Sequence, residues 1–326
     1  EQAGLAHYTS SASSKLVHGG LRYLEYFKFR LVREALIERE RLLSIAPHLV
    51  SRLRFVLPYE HWLRPAWAVR LGLLLYDCLG SGGSLERSAN VRLATSEFGR
   101  PLRRDLKRGF AFSDCTVDDS RLVVLNARDA ADRGAIVQVG HRLVRAVREH
   151  GRWRAEIECV ASRQEYAVSA RAIVNAAGPW ISKVLTERLG GGSRQPVRLI
   201  KGSHIVVRRL YEGEHAYVLQ HPDRRIVFVI PYQDDFTLIG TTDVAWQGEP
   251  GPVTITPAET DYLCQTVNSY FERQIRPDDV VWSYSGIRPL WDDAATNASA
   301  VTRDYVLDID APQGQAPVLS VFGGKI

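Results

Sequence analysis

The densest run of chemically capable side chains lies near the N-terminus, in Ser13-Ser14-Lys15-Leu16-Val17-His18-Gly19-Gly20-Leu21-Arg22-Tyr23. Paired glycines let a backbone approach a flat or phosphorylated ligand closely. His18 and Arg22 stand four apart, so on a helix they would share one face. A neutral imidazole can take a hydroxyl proton, and a neighbouring guanidinium can hold an anion. The same residues also suit a purely structural turn. A second glycine pair, Gly323-Gly324, precedes Lys325 and repeats close approach beside a cation.

Arg288 and Arg303 form another constellation. They are 15 residues apart, and the loop between them would let their strands pair as a hairpin. With matching facing, two guanidiniums would meet over one site suited to a phosphate dianion. The alternative is a pair of surface arginines held by Asp292, Asp293 or Asp304. Lys201, His204, Thr241, Thr242 and Asp243 could line the same sheet.

The elements that must position these groups follow from pattern. Leu24, Phe27, Leu31, Ala35, Leu42 and Ala46 recur at helical steps up to Pro47, which predicts one helix. Residues 135–147, 152–160 and 165–173 read as short strands of a meander. Residues 172–174 form an apolar strand entering Asn-Ala-Ala-Gly-Pro-Trp, and such strand ends favour ligands in open α/β sheets. From 198 to 243 the sequence turns β-rich, which predicts an antiparallel sheet. Thr256-Pro257 opens a helix to about 273. Strands at 280–290 and 300–309 flank a loop, and 317–326 ends as a buried-type strand running into Gly-Gly. The interleaving of these textures predicts two intertwined domains.

Composition sets the outer limits. The 326 residues are 45% apolar and 24% charged, which excludes a disordered chain or a disulfide-stapled miniprotein. Four cysteines with no C-x-x-C pair argue against a zinc ribbon, and no metal site is expected. They suit a reducing compartment. Residues 1–163 hold 27 Lys and Arg against 18 Asp and Glu, so the first half could face an anionic ligand or membrane surface. An Arg-rich codon bias would give the same count, and no nucleic-acid-binding signature accompanies it. The apolar stretch 63–79 is too charged to span a bilayer. Helical spacing groups Trp62, Trp67 and Leu71 with Leu74 and Leu75, as a membrane-surface helix or as a buried core helix. The chain has no Met and opens Glu-Gln-Ala, as expected of a piece of a longer protein.

Taken together, SSASSKLVHGGLRYLEYF, FSDCTVDDSRLV, NAAGPW, LIKGSHIVV, VFVIPY, IGTTDV, YSGIRPL, TRDY and LSVFGGK resemble the FAD-dependent glycerol-3-phosphate dehydrogenases of the membrane-associated aerobic type. These belong to the D-amino-acid-oxidase-like flavoproteins, and the resemblance runs in order along essentially the whole chain. It implies an α/β fold of mixed α+β character: an incomplete glutathione-reductase-like, Rossmann-type FAD-binding domain interlaced with an antiparallel-sheet substrate domain. The first would comprise 1–50, 110–196 and 316–326, and the second 51–109 and 197–315.

By this resemblance His18, Arg22 and Arg288 are catalytic, and Tyr23, Thr241, Arg288 and Arg303 bind substrate. FAD would be bordered by Glu1, Ser13, Ser14, Lys15, His18, Gly19, Val144, Ala177, Gly178, Trp180, Gly324 and Lys325. The implied reaction oxidises sn-glycerol 3-phosphate to dihydroxyacetone phosphate, with electrons passing through FAD to a membrane quinone. The implied location is cytoplasmic, peripheral on an anionic membrane surface, with no nucleic acid and with a homodimer left open. An oxygen-using glycerol-3-phosphate oxidase, another amino- or hydroxy-acid oxidase, and a non-catalytic membrane scaffold are the alternatives. The family's G-x-G-x-x-G turn is not in this sequence, and Glu1 falls where the family carries its ribose-binding acid. FAD binding and activity are therefore expected of the longer, intact protein.

Overall fold

The computed structural model describes residues 1–62, 64–80, 83–191, 197–223, 225–291 and 305–323. Ten strands form one large sheet: β1 (Leu16–Val17), β2 (Val50–Pro58), β3 (Ala89–Arg92), β4 (Arg108–Val117), β9 (Val197–Arg208), β10 (Ala216–Gln220), β11 (Ile226–Tyr232), β12 (Phe236–Gly240), β13 (Val244–Ala245) and β14 (Val280–Trp291). A meander of β5 (His141–Glu149), β6 (Arg152–Cys159) and β7 (Glu165–Ala170) stands apart from it. A third sheet joins β8 (Ile173–Asn175), β15 (Tyr305–Asp310) and β16 (Val318–Gly323), with β8 and β16 parallel. The helices are α1 (Phe29–Ile45), α2 (Ala66–Leu79), α3 (Asp119–Asp132), the single turn α4 (Ile181–Lys183) and α5 (Pro257–Asn268).

The large sheet is covered on both faces, which is why its strands read as continuous apolar runs. Consecutive residues of a strand point to opposite sides. Ile205 and Val207 therefore pack with Val229, Ile239 and the α5 residues Leu263 and Val267, while Val206 packs with Leu238, Leu36 of α1 and Leu73 of α2. α5 begins where Thr256 and Pro257 predict it, with Thr256 and Glu259 capping each other reciprocally.

Four expectations change. The sheet is mixed, because β2 and β10 pair in parallel at Ala216–Phe55 and Tyr217–Val56. The helix foreseen from Leu24 is broken: a 3₁₀ helix over Leu21–Tyr26 ends at Phe27, in the left-handed region at φ 55°, before α1 starts. The hairpin joining Arg288 to Arg303 does not form among the described residues. β14 pairs with β9 along its whole length, and β15 pairs with β16 in another sheet. The meander strand foreseen from 135 begins only at His141, after Gly140 at φ 68° turns the chain.

The 63–79 stretch is neither wholly buried nor long enough to span. Leu73 and Tyr76 face the core, while Trp67 is 71% exposed and Leu71, Leu74 and Leu75 are also exposed. Among the described residues no helix is long and apolar enough to cross a membrane.

Candidate active site

A row of four residues crosses β11, β12, β9 and β14: Phe228 opposite Gly240, Gly240 opposite His204, and His204 opposite Tyr284. The N-terminal segment lies over this row. The His18 ring sits 6.0 Å from that of Phe228. Ser14 Oγ is 2.9 Å from His204 Nε2, and Tyr284 Oη donates to the Ser13 carbonyl at 2.8 Å. His204 stacks on Tyr284 with ring centroids 4.8 Å apart. Burial, with the charges of Arg288 and Lys15 nearby, pushes His204 down to about 3, so it is neutral at physiological pH.

Beyond that row Gly202 faces Gly286 across β9 and β14. A Cβ on Gly202 would lie 2.2 Å from Arg288 Nη2 and 2.7 Å from Thr241 Oγ1. The missing side chain is thus what lets Thr241 and Arg288 close over the sheet at this point. Arg288 Nη2 donates to the Thr242 carbonyl at 2.8 Å and pairs with Asp243 Oδ1 at 2.8 Å. From the opposite face of the sheet Glu259 holds the same segment, accepting from Thr242 Oγ1 at 2.8 Å, Ser203 Oγ at 2.9 Å and Lys201 Nζ at 2.7 Å. Although burial alone would raise it, Lys201 and hydrogen bonds from the Thr256 amide and hydroxyls hold the Glu259 carboxyl at about 2.

The glycine pair of the HGGLRY run serves two ends. Gly19 N–H donates to Tyr76 Oη at 2.8 Å, and Gly20, in the left-handed region at φ 72°, turns the chain toward Arg22 and Tyr23. Gly20 N–H donates to His18 Nδ1 at 3.1 Å. A neutral ring in this state therefore carries its proton on Nε2. Arg22 and Tyr23 lie half-buried on the 3₁₀ helix.

Of the expected cofactor residues, Lys15 and Trp180 line a cavity of about 450 Å³, together with Tyr8, Tyr232, Trp282 and Tyr284 among others. Tyr8 and Trp180 meet edge to face at 4.7 Å. Buried Asp119 organises one wall, accepting from Ser13 Oγ at 2.8 Å and from Lys15 Nζ at 2.7 Å. A space lined by aromatic side chains together with the Lys15 cation suits an isoalloxazine ring, which is apolar on its faces and hydrogen-bonds at its edge. The cavity wall reaches Ile287, but neither His18 nor Arg288 lines it. Gly178, at φ 55°, and Ala177 precede Trp180 at the end of β8. Glu1 and Val144 lie elsewhere: Glu1 is exposed against residues 138–141, and the Val144 carbonyl accepts from Arg188. Arg303, Gly324 and Lys325 fall outside the described residues.

Five residues not singled out from sequence support this site: Arg39, Tyr76, Asp114, Asp119 and Glu259. Only Asp119 and Glu259 left a trace, as the second Asp of the helix-opening Asp118-Asp119 pair and as the third residue after the Thr256 cap. The others act on partners far away in sequence.

The sequence profile of the FAD dependent oxidoreductase family matches residues 1–308. The chain is 54% identical over 326 residues to the glycerol-3-phosphate dehydrogenase of Pseudomonas aeruginosa, covering all of this chain and 63% of that protein. It is 50% identical to the D-erythritol 1-phosphate dehydrogenase of Brucella abortus, covering 65% of it. The chain thus spans about two thirds of the length of these relatives, or slightly less. The solved glycerol-3-phosphate dehydrogenase from Bacillus halodurans, complexed with FAD, superposes with a TM-score of 0.73 at 23% identity over all of this chain and 55% of that one. The fold is therefore that of this FAD-bound structure.

Proposed function

For a chain that belongs to the FAD dependent oxidoreductase family, we propose oxidation of sn-glycerol 3-phosphate to dihydroxyacetone phosphate. The observation carrying this is the closure of Arg288 and Thr241 over Gly202 on the sheet face that also receives His18 and Ser14. Residues 1–50, 110–196 and 316–326 form the cofactor side and 51–109 with 197–315 the substrate side. FAD, when bound, supplies the acceptor for the hydride leaving the alcohol carbon and passes the electrons to a membrane quinone.

The chain's own residues bind, orient and manage the proton. Arg288, held by the Thr242 carbonyl and Asp243, grips an anionic oxygen of the substrate with a guanidinium already fixed in place. Arg303 shares the phosphate, and Arg22 with Tyr23 holds the remaining oxygens. His18 takes the hydroxyl proton. Because Gly20 N–H now occupies Nδ1, proton uptake at Nε2 needs the tautomer with its proton on Nδ1. The Gly19–Gly20 segment is thereby part of the machinery. Lys15 and Trp180 border the flavin, with Ser13, Ser14, His18, Gly19, Ala177, Gly178, Gly324 and Lys325 assigned to the same side, while Glu1 and Val144, which stand away from that cavity, would meet the remoter part of FAD.

The apolar face of α2 supports a peripheral location on the cytoplasmic membrane. Arg64 pairs with Glu25, which brings the start of α2 beside the segment carrying Phe27, itself 79% exposed. Trp62, Trp67, Leu71 and Leu74 make an apolar surface with the exposed Arg64, paired with Glu25, at its N-terminal end, suited to a lipid surface. Trp67→Glu should weaken salt-sensitive binding to phosphatidylglycerol vesicles at least about tenfold; unchanged binding removes this face from the proposal.

The functional test uses the full-length protein with FAD and a dye acceptor. Glycerol 3-phosphate should reduce the dye, and His18→Ala should lower kcat by about 10²–10⁴-fold. Full activity in that variant contradicts the assigned role. The Brucella abortus relative favours a second reading, a longer polyol phosphate. A higher kcat/KM for erythritol 1-phosphate than for glycerol 3-phosphate would select it.

A further inference from the structure

We propose that Tyr76 is a positioning residue for the reaction, its hydroxyl gripping the Gly19 amide and thereby setting where the His18 ring stands. This inference rests on the role given to His18 above. Tyr76 is 3% exposed and Asp114 2%. The Tyr76 hydroxyl lies 2.9 and 2.8 Å from the two Asp114 carboxylate oxygens and accepts the Gly19 N–H at 2.8 Å. Arg39 Nη1 donates to Asp114 Oδ1 at 2.7 Å, and Arg39 is itself buried against the Ser113 carbonyl and Glu40. A chain of four groups therefore runs from α1, through β4 and α2, to the backbone beside His18.

Burial raises the Asp114 carboxyl, and the Arg39 guanidinium bonded to it opposes that rise, so the pair presents a carboxylate acceptor to the phenol. A phenol has one proton and free lone pairs. Burial and the Asp114 charge push Tyr76 well above its ordinary value, so the proton stays on oxygen and points at Asp114. The lone pair left over is the principal acceptor for Gly19 N–H at 2.8 Å, with Asp114 Oδ1 a longer second acceptor at 3.4 Å. Losing the phenol leaves this buried amide only the long contact, which is costly, so the grip is strong. There is no slack around it: a Cβ on Gly19 would come within 2.6 Å of Tyr76 Oη and 2.5 Å of Leu36 Cδ2. The Gly19 nitrogen is bonded directly to the His18 carbonyl carbon, so the phenol's hold on that N–H fixes the peptide from which the His18 side chain projects.

The test is anaerobic flavin reduction by glycerol 3-phosphate, followed in the full-length FAD-loaded protein separately from reoxidation by a quinone analogue. Tyr76→Phe removes only the hydroxyl. Its limiting rate of flavin reduction should fall about 10- to 100-fold, the size of effect expected when a reacting group is misplaced by about 1 Å. The substrate concentration for half-maximal rate, the FAD content per chain and the reoxidation rate should stay within about twofold. Tyr217→Phe supplies the matched control, since that buried hydroxyl donates to the Phe98 carbonyl in the substrate-sheet core. It should lose stability and leave flavin reduction unchanged. Should Tyr76→Phe fail to accumulate, Asp114→Asn carries the same comparison, because it removes the charge that holds the phenol.

The proposal is overturned if Tyr76→Phe, or Asp114→Asn in its place, reduces flavin at the parent rate. A parallel loss in both half-reactions and in FAD content overturns it too, as would the same loss in Tyr217→Phe. If the parent protein's flavin is not reduced by glycerol 3-phosphate at all, the functional assignment fails first, and this inference fails with it.

Discussion

The ten-stranded sheet and the small sheet of β8, β15 and β16 are built under different conditions. The large sheet has α5 on one face and α1 with α2 on the other, and each face buries its own apolar cluster. The small sheet contributes to a six-residue cluster with the meander and leaves Val174, Leu307 and Ile309 exposed, Val174 at 63%. Contiguous apolar side chains left in solvent mark a surface made to be covered. The large sheet is thus packed on both faces by what is described of this chain, whereas the small sheet is not. Arg288 and Thr241 consequently stand on a scaffold that holds them without help, while Trp180 and Gly178 stand at the end of a thinly supported strand.

The sharpest way to break this contrast is to remove Glu259, which ties α5 to the underside of the sheet through Lys201, Ser203 and Thr242. Glu259→Ala leaves Lys201 buried and unpaired, so urea unfolding should show a loss of about 3–5 kcal/mol. A loss under about 1 kcal/mol would mean that the large sheet does not depend on this anchor. Next in size is Asp119→Asn on the cofactor side, which removes the charge holding Lys15 and Ser13. It should weaken FAD binding in the full-length protein by about 1.5–3 kcal/mol, measured by flavin titration, and leave unfolding of the large sheet nearly unchanged.

Acid should act on the substrate side in two windows. The folded His204 value is about 3 and that of His215 about 4, against 6.5 for an ordinary histidine. Below pH 6.5 the unfolded chain takes up protons that the folded chain refuses, so stability falls as pH drops from 6.5 toward 3. Glu259, ordinarily near 4.5 and held here at about 2, contributes stability above pH 4.5 that is lost between 4.5 and 2. Urea midpoints measured from pH 7 to 3 should decline throughout, and Glu259→Gln should flatten only the lower window. The smallest effect belongs to the uncovered sheet: Ile309→Ser should cost less than about 0.5 kcal/mol in this chain. A cost well above that would mean the face is already packed.

Local signals carried much of the fold. Thr256-Pro257 placed α5, and the apolar runs from 198 to 243 placed β9 to β12, because caps and strand patterns depend on neighbours in sequence. Pairing partners were less legible. Arg288 and Arg303 looked like a hairpin, yet β9, some 80 residues earlier, takes the whole of β14. Nothing in the spacing of β14 and β15 reveals a competing strand. On α2 the stripe of Trp67, Leu71, Leu74 and Leu75 was visible, but whether it faced core or solvent depended on Leu73 and Tyr76 winning the interior. The buried charges were the least visible. Arg39, Asp114 and Tyr76 lie on α1, β4 and α2, and an isolated Asp or Arg in sequence does not announce a partner tens of residues away.

The proposed reaction depends most on Arg288 standing ready over Gly202 to hold an anionic substrate. Anaerobic bleaching of the flavin by glycerol 3-phosphate, compared between the full-length parent and Arg288→Ala, tests this directly. The parent should bleach, and the variant should need about 10- to 100-fold more substrate for the same half-maximal rate, the usual loss of a charged hydrogen bond to an anion. Equal substrate requirements in the two proteins would contradict it.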